Sequence, residues 1–401
     1  MRVGIFGGTF NPIHNGHISL IKHLIAALSL DELLVIPTAL PPHKDGSEVI
    51  SPEHRLAICR LATEDIPEVR VSDIEIKRGG KSYTVNTLRL LLADRPDDEF
   101  VLLVGSDMFF TLDEWRCADE IMRLVRVAAI AREENELERL KECSARYNEK
   151  GARTEIVECP VISLSSTELR NDNQRSDGLP PKVERYIIQN GLYGRDKKLL
   201  VDLDELTGWL RSRLSRERFT HTLNVASEAL RLAETYGENG DEAYLAGLLH
   251  DCCKEIPHEE MLNIIENSDI IINQSFKDSP KIWHGFAAAQ FIQDEFSIYN
   301  SEIIEAVRYH TTGRGEMSRI EEIIYLADLV SADRHYNGVE ALRAKAYRSI
   351  EEAMLEALQF AITSLGKTAA PILAETVAAY ERYRIAVNAL KEKAALENDD
   401  K

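Results

Sequence analysis

The sequence lacks the features that would carry it into or across a membrane. No apolar run in its 401 residues approaches the roughly 18 that a membrane-spanning helix requires. The opening, MRVGIFGG, reads as a strand entering a glycine turn, not as a secretory signal. Cysteine is scarce and poorly spaced for structural work. The six are Cys59, Cys117, Cys143, Cys159, Cys252 and Cys253, with no C-x-x-C pair. That argues against a disulfide framework and a thiolate zinc site, and for a reducing, cytoplasmic setting. Positive charge is in deficit as well: 48 Lys and Arg against 67 Asp and Glu leave a formal charge of −19. Such a surface repels phosphate backbones, so nucleic acid is disfavoured as a partner. Small nucleotides, held by local donors and metals, are not.

What is present is globular: 44% of residues are apolar. The length suits two domains of about 200 residues each. Over residues 1–195 short apolar runs alternate with helix-like segments. The expected strands are Arg2–Phe6, Glu32–Pro37, Val69–Ile74, Phe100–Gly105, Arg126–Arg132 and Thr154–Glu158. This alternation predicts an α/β domain with a doubly wound parallel sheet, whose ligands bind beyond the carboxyl ends of the strands. The polar stretch after Tyr193 marks a boundary, and residues 196–401 read as all-α. Helices are expected near 202–215, 218–236, 241–253, 258–267, 280–295, 300–310, 318–332, 339–366 and 369–397.

Directly after the first strand comes Gly7-Gly8-Thr9-Phe10-Asn11-Pro12-Ile13-His14-Asn15-Gly16-His17, then an amphipathic run. The glycines let backbone N–H groups approach a phosphate, and the following helix start favours the same anion. His14 and His17, three apart, project toward one site and can donate to phosphoryl oxygens. A glycine pair alone would make only a tight turn; the full Thr-x-x-x-x-His-x-Gly-His spacing is far more specific. It resembles the (T/H)xGH signature of the nucleotidylyltransferase superfamily.

Further segments resemble, in order, the bacterial nicotinate-nucleotide adenylyltransferases within that superfamily. They are Pro37 to Lys44 (PTALPPHK), Gly79 to Thr87 (GGKSYTVNT), Val104-Gly105-Ser106-Asp107 with Trp115, and Ile162 to Arg170 (ISLSSTELR). Lys44 can reach a leaving pyrophosphate as a point charge. Ser166 and Thr167 look like a helix N-cap, with Arg170 able to return to the same phosphate. The resemblance implies a Rossmann-like fold, with Trp115 stacked on the nicotinate ring. It places Thr84 in the acceptor segment and gives Gly105, Asp107 and Arg132 a part in substrate positioning. Read alone, Trp115 is also a plain core residue and Arg132 a plain surface one. The implied reaction is transfer of AMP from ATP, carrying Mg²⁺, to nicotinate mononucleotide. Transfer to another acceptor such as phosphopantetheine is the rival that the SYT and GSD…W segments disfavour.

In the second half His221, the pair His250-Asp251, His284, His310 and Asp328 are enough to hold a binuclear divalent centre. Imidazole and carboxylate without thiolate suit iron or manganese better than structural zinc. An apolar run entering His250-Asp251 would bury both polar groups at a cost unless something binds them. The order H…HD…H…H…D resembles the HD-domain hydrolases. His284-Gly285, Tyr309-His310-Thr311-Thr312-Gly313 and Tyr325-Leu326-Ala327-Asp328 resemble the YqeK family among them, which splits diadenosine tetraphosphate symmetrically into two ADP. The resemblance implies that Asp251 bridges the metals. Lys254 and Arg314 are candidates for steadying phosphates by proximity alone. Cys252-Cys253 departs from the family, which more often has a bulky residue and then alanine there. Action on another nucleotide phosphoester, or a non-catalytic nucleotide sensor, stays open as an alternative, as does a homo-oligomer.

Overall fold

The computed structural model describes residues 1–40, 49–131, 136–159, 164–171, 178–268, 272–368 and 371–399. Two compact units emerge, Met1–Asp196 and Lys197–Lys401.

In the first, strands β1 (Arg2–Gly8), β2 (Glu32–Pro37), β3 (Val69–Val71), β4 (Glu99–Gly105), β5 (Arg126–Ala131) and β6 (Arg153–Glu158) form one sheet in the order β3-β2-β1-β4-β5-β6. Every pairing is parallel. β2 is buried at every position, as strands covered on both faces are. The order reverses between β1 and β4, which opens a crevice at the carboxyl ends of those two strands. Gly8 ends β1 and Gly105 ends β4, so both glycine turns lie at that crevice.

One strand is shorter than its sequence suggests. Val69–Ile74 looks extended, but β3 stops at Val71 and Ile74–Arg78 is a helix. The Ser72 hydroxyl accepts the Ile74 N–H at 3.4 Å, a local bond that competes with strand continuation.

The described residues of the second unit contain helices and no strand. Polar caps start them. Ser215 opens Arg216–Tyr236, Asn239 opens Gly240–Leu249, Asn300 opens Ser301–Tyr309, and a Ser318/Glu321 capping box opens Arg319–Val330. The single helix expected over 339–366 is two, Val339–Ala346 and Ile350–Thr368. Ser349 caps the second by accepting the Glu352 N–H at 3.3 Å. Among the described residues no helix is long and apolar enough to cross a membrane.

Candidate functional site

The crevice of the first unit is a cavity of about 840 Å³. It gathers the cradle residues Gly7, Gly8, Thr9, Phe10 and His17 on one side. On the others lie Thr84 and, past β4, Gly105, Asp107 and Trp115. A Cβ added to Gly7 would meet nothing within 4 Å, so its flank stands open to the cavity for a phosphate to approach the backbone. Gly8 is required for a different reason: a Cβ there would lie 2.8 Å from the Phe10 ring, which folds back on it at φ 47°. His14 sits behind His17, with ring centroids 3.8 Å apart, and His17 Nδ1 accepts the His14 N–H at 3.3 Å.

Ser166, Thr167 and Arg170 are brought to the cradle from the other end of the domain. The helix Ser166–Asn171 places the Ser166 hydroxyl on the Pro12 carbonyl at 2.9 Å and Arg170 Nη1 on the Asn11 carbonyl at 2.7 Å. Arg170 also donates to the Thr167 hydroxyl at 3.3 Å. Tyr193 adds a third tie, its hydroxyl donating to Asn11 Oδ1 at 3.0 Å. Lys44 and Arg132 lie outside the described residues. Among the cavity-lining residues not singled out from the sequence are Glu75, which accepts the Thr87 hydroxyl at 2.6 Å, and Arg116, whose guanidinium stands 4.7 Å from the Tyr83 ring centroid.

In the second unit all six expected ligands converge. Asp251 is at the centre, with each oxygen facing a different group. Oδ2 lies 3.5 Å from His250 Nε2 and 4.0 Å from His221 Nε2. Oδ1 lies 3.1 Å from His284 Nε2 and 3.6 Å from His310 Nε2. Asp328 Oδ1 joins the first side, 3.0 Å from His221 Nε2. Two buried triads result, His221–His250–Asp251 and Asp251–His284–His310, sharing one carboxylate.

The rings are set for ligation from behind. His250 Nδ1 donates to the Gly247 carbonyl at 2.7 Å, and His310 Nδ1 to the Val307 carbonyl at 2.7 Å. His221 Nδ1 donates to Asp333 Oδ2 at 2.7 Å. With the proton on Nδ1, each Nε2 lone pair points inward. Among the described residues the buried His250 Nε2 and Asp251 Oδ1 make no hydrogen bond, so both are available to a cation. Burial pushes the His284 imidazole down to about 4, keeping it neutral. Burial opposes ionisation of Asp251, but His250, His284 and His310 outweigh it and hold the carboxyl well below its usual range. Donor set, burial and shared carboxylate all fit a pair of divalent ions. Gly285 is small because a Cβ there would stand 3.1 Å from the His310 ring.

Three cations rim the cluster. Lys254 Nζ lies 3.0 Å from His284 Nε2. Arg218 Nη1 lies 2.6 Å from Asp251 Oδ2, and Arg334 bonds Asp328 Oδ1. Arg218, Asp333 and Arg334 were not anticipated; only Arg218, three residues before His221 on one helix face, left a signal in the spacing. Arg314 is not brought to the cluster. Its guanidinium makes a two-point pair with Glu321 at 2.6 and 2.7 Å; burial alone would lower its pKa, but the hydrogen bonds and charge of Glu321 outweigh it and drive it up. Cys252 and Cys253 are buried, their sulfurs 3.9 Å apart. The Cys253 contact and burial push the Cys252 thiol well up, so it is a poor nucleophile.

Fold and sites together define a nucleotidyl-transfer domain joined to a metal-ligating helical domain. Residues 5–172 match the cytidylyltransferase-like family and residues 218–333 the HD domain family. Through its N-terminal half the chain belongs to the nicotinate-nucleotide adenylyltransferases. A probable nicotinate-nucleotide adenylyltransferase of Synechococcus sp. (strain JA-3-3Ab) is 36% identical over 198 residues, covering 48% of this chain and 94% of that protein. A probable nicotinate-nucleotide adenylyltransferase/Ap4A hydrolase of Mycoplasma genitalium is 27% identical over 365 residues, 90% of this chain and 97% of its own. Among solved structures, a predicted HD superfamily hydrolase involved in NAD metabolism from Clostridium acetobutylicum is 30% identical. It covers 46% of this chain and 98% of its own, with a TM-score of 0.45.

Proposed function

We propose that the chain is a bifunctional enzyme, transferring AMP from ATP to nicotinate mononucleotide and hydrolysing diadenosine tetraphosphate symmetrically to two ADP. The observation that carries the first reaction is the single cavity joining the Gly7–Phe10 cradle to Thr84 and Trp115. There the 5′-phosphate of the mononucleotide attacks the α-phosphorus of ATP and pyrophosphate leaves, giving nicotinate adenine dinucleotide. His17 donates to the phosphoryl oxygens as charge gathers on them, with His14 behind it, and Mg²⁺ accompanies the triphosphate. Arg170 and Ser166 keep the Asn11-Pro12 turn in place. Lys44 serves the leaving pyrophosphate.

The second reaction rests on the two triads sharing Asp251. His221, His250 and Asp328 would hold one ion and His284 and His310 the other, with Asp251 available to both. Bound there, iron or manganese would lower the pKa of a water and so supply hydroxide as the nucleophile for the polyphosphate. Arg218, Lys254 and Arg334, each about one third exposed, pair with the polyphosphate oxygens. This reading places the enzyme in the cytoplasm, where its cysteines stay reduced.

The test uses the full chain supplied with Mn²⁺ or Fe²⁺, one mixture holding ATP and nicotinate mononucleotide, the other diadenosine tetraphosphate. His17→Ala should lower dinucleotide synthesis by about 10²–10³-fold, as loss of one transition-state donor does, and spare hydrolysis. Asp251→Ala should do the reverse. Persistence of the tetraphosphate in the metal-loaded wild type would leave the helical unit a sensor or a hydrolase of another phosphoester.

A further inference from the structure

Arg55 heads the fully buried side chains by size, at 1% exposure. It projects from the helix Pro52–Thr63, and among the described residues its guanidinium makes four hydrogen bonds, all to main-chain carbonyls. Nε donates to Ile50 at 3.1 Å and Nη1 to Thr9 at 2.8 Å. Nη2 donates to Thr38 at 2.6 Å and to Ala39 at 3.1 Å. Taking a charged side chain out of water is costly, and carbonyls alone offset only part of that cost. An apolar residue would fill the same space more cheaply if packing were the whole purpose.

Two of the four bonds fix peptides that matter to the cavity. The Thr9 carbonyl turns toward Arg55, so the trans peptide directs the Phe10 N–H the opposite way. The Thr38 carbonyl is likewise held by Arg55, while the N–H of the same peptide, on Ala39, donates to the Ser82 hydroxyl at 3.0 Å. Ser82 N–H returns a bond to the Leu40 carbonyl at 3.2 Å. Ser82-Tyr83-Thr84 then lines the cavity opposite the cradle. One guanidinium thus reaches the cradle directly and the Ser82–Thr84 segment through a single peptide unit.

The geometry points to Arg55 as a positioning residue for adenylyl transfer, fixing the separation between the phosphate cradle at Thr9 and the acceptor segment at Ser82–Thr84. The inference rests on the adenylyl-transfer reading above. Arg55 touches neither substrate. It sets how far apart the two nucleotides sit, and a misplacement of about 1 Å between reacting groups can cost roughly 10²-fold in rate. Its loss should therefore lower kcat far more than it raises either KM. Lysine keeps the charge but cannot span three chain segments with one ammonium.

The experiment compares wild type, Arg55→Lys and Ser82→Ala in the full chain, measuring kcat and both KM values for ATP and nicotinate mononucleotide. The folded fraction at the assay temperature comes from near-ultraviolet circular dichroism. Arg55→Lys should lose about 10²-fold in kcat, with each KM within about threefold of wild type and the folded fraction unchanged. Ser82→Ala, which breaks the far end of the relay, should show a smaller loss of the same kind. Near-normal kcat in Arg55→Lys, or a loss matched by the unfolded fraction or carried by KM, overturns the inference. Should Arg55→Lys not fold, Ser82→Ala decides, and a wild-type kcat there overturns it. A wild type that makes no dinucleotide sinks the adenylyl-transfer reading itself, a separate result.

Discussion

Asp333 accepts a hydrogen bond from His221 Nδ1–H, so the ring's orientation and its inward lone pair depend on a residue that need not touch a metal. Removing such a partner typically costs about 10–100-fold in metal affinity. Asp333→Ala should therefore weaken the His221–His250–Asp251 side by that factor and leave the Asp251–His284–His310 side nearly intact. Competition with a chromophoric chelator resolves the two affinities, and a uniform or absent change would contradict the assignment. At this scale the sequence was most legible where residues are adjacent or close in number. His250-Asp251 and the His14/His17 spacing announced themselves. Asp333 and Arg334 did not, and Arg218 did so only through its spacing from His221, because a charged residue near a helix end reads as solvated unless its partner is known. Arg55 was hidden more completely, being a lone charge in an otherwise ordinary amphipathic helix whose partners are carbonyls from three separate segments.

Elements were read well in kind and less well at their ends. All six strands are present near their expected places, since short apolar runs bounded by turns are distinctive. The last strand-like residues after Val71 went to a helix because Ser72 supplies a local side-chain bond that apolar pattern alone does not weigh. The break at 347–349 did have a signal, Ser349 followed three residues later by Glu352, outvoted by the continuous helical periodicity on either side. Close approach between elements was not legible at all. Gly247, in the helix Gly240–Leu249, would set a Cβ 2.7 Å from Ala226 Cα and 3.0 Å from its nitrogen on Arg216–Tyr236, backbone that cannot turn aside. Gly247→Ala should therefore destabilise the helical unit by about 1–3 kcal/mol, offset by less than about 1 kcal/mol of helix propensity. Because the Gly247 carbonyl also holds His250 Nδ1, metal affinity should fall with stability. Thermal melting beside metal titration checks both; a variant more stable than wild type would mean the two helices separate without strain.

At the scale of the whole molecule, each unit has its own core, and its chemistry sits where that architecture concentrates polar groups. In the sheet unit that is the crevice beside Gly8 and Gly105, outside the packed interior. In the helical unit it is the interior itself, with His250, Asp251, His284 and His310 all at most 3% exposed. The consequence for stability is asymmetric. Six ligand side chains drawn together in the helical unit tie its fold to the ions they would hold, whereas an open crevice leaves the sheet unit's fold largely indifferent to its ligands. A ligand at about 1,000 times its Kd stabilises the folded state by about 4 kcal/mol. For a unit of this size each kcal/mol moves Tm by roughly 2–4 °C. Stripping metal from the full chain with a chelator should thus lower one calorimetric transition by about 8–16 °C and leave a second in place. Restoring Mn²⁺ should return the first, and in Asp251→Ala the same transition should no longer respond to metal. A single transition that ignores the chelator would show that the cluster holds no stabilising ion, and with it the hydrolase reading would lose its physical basis.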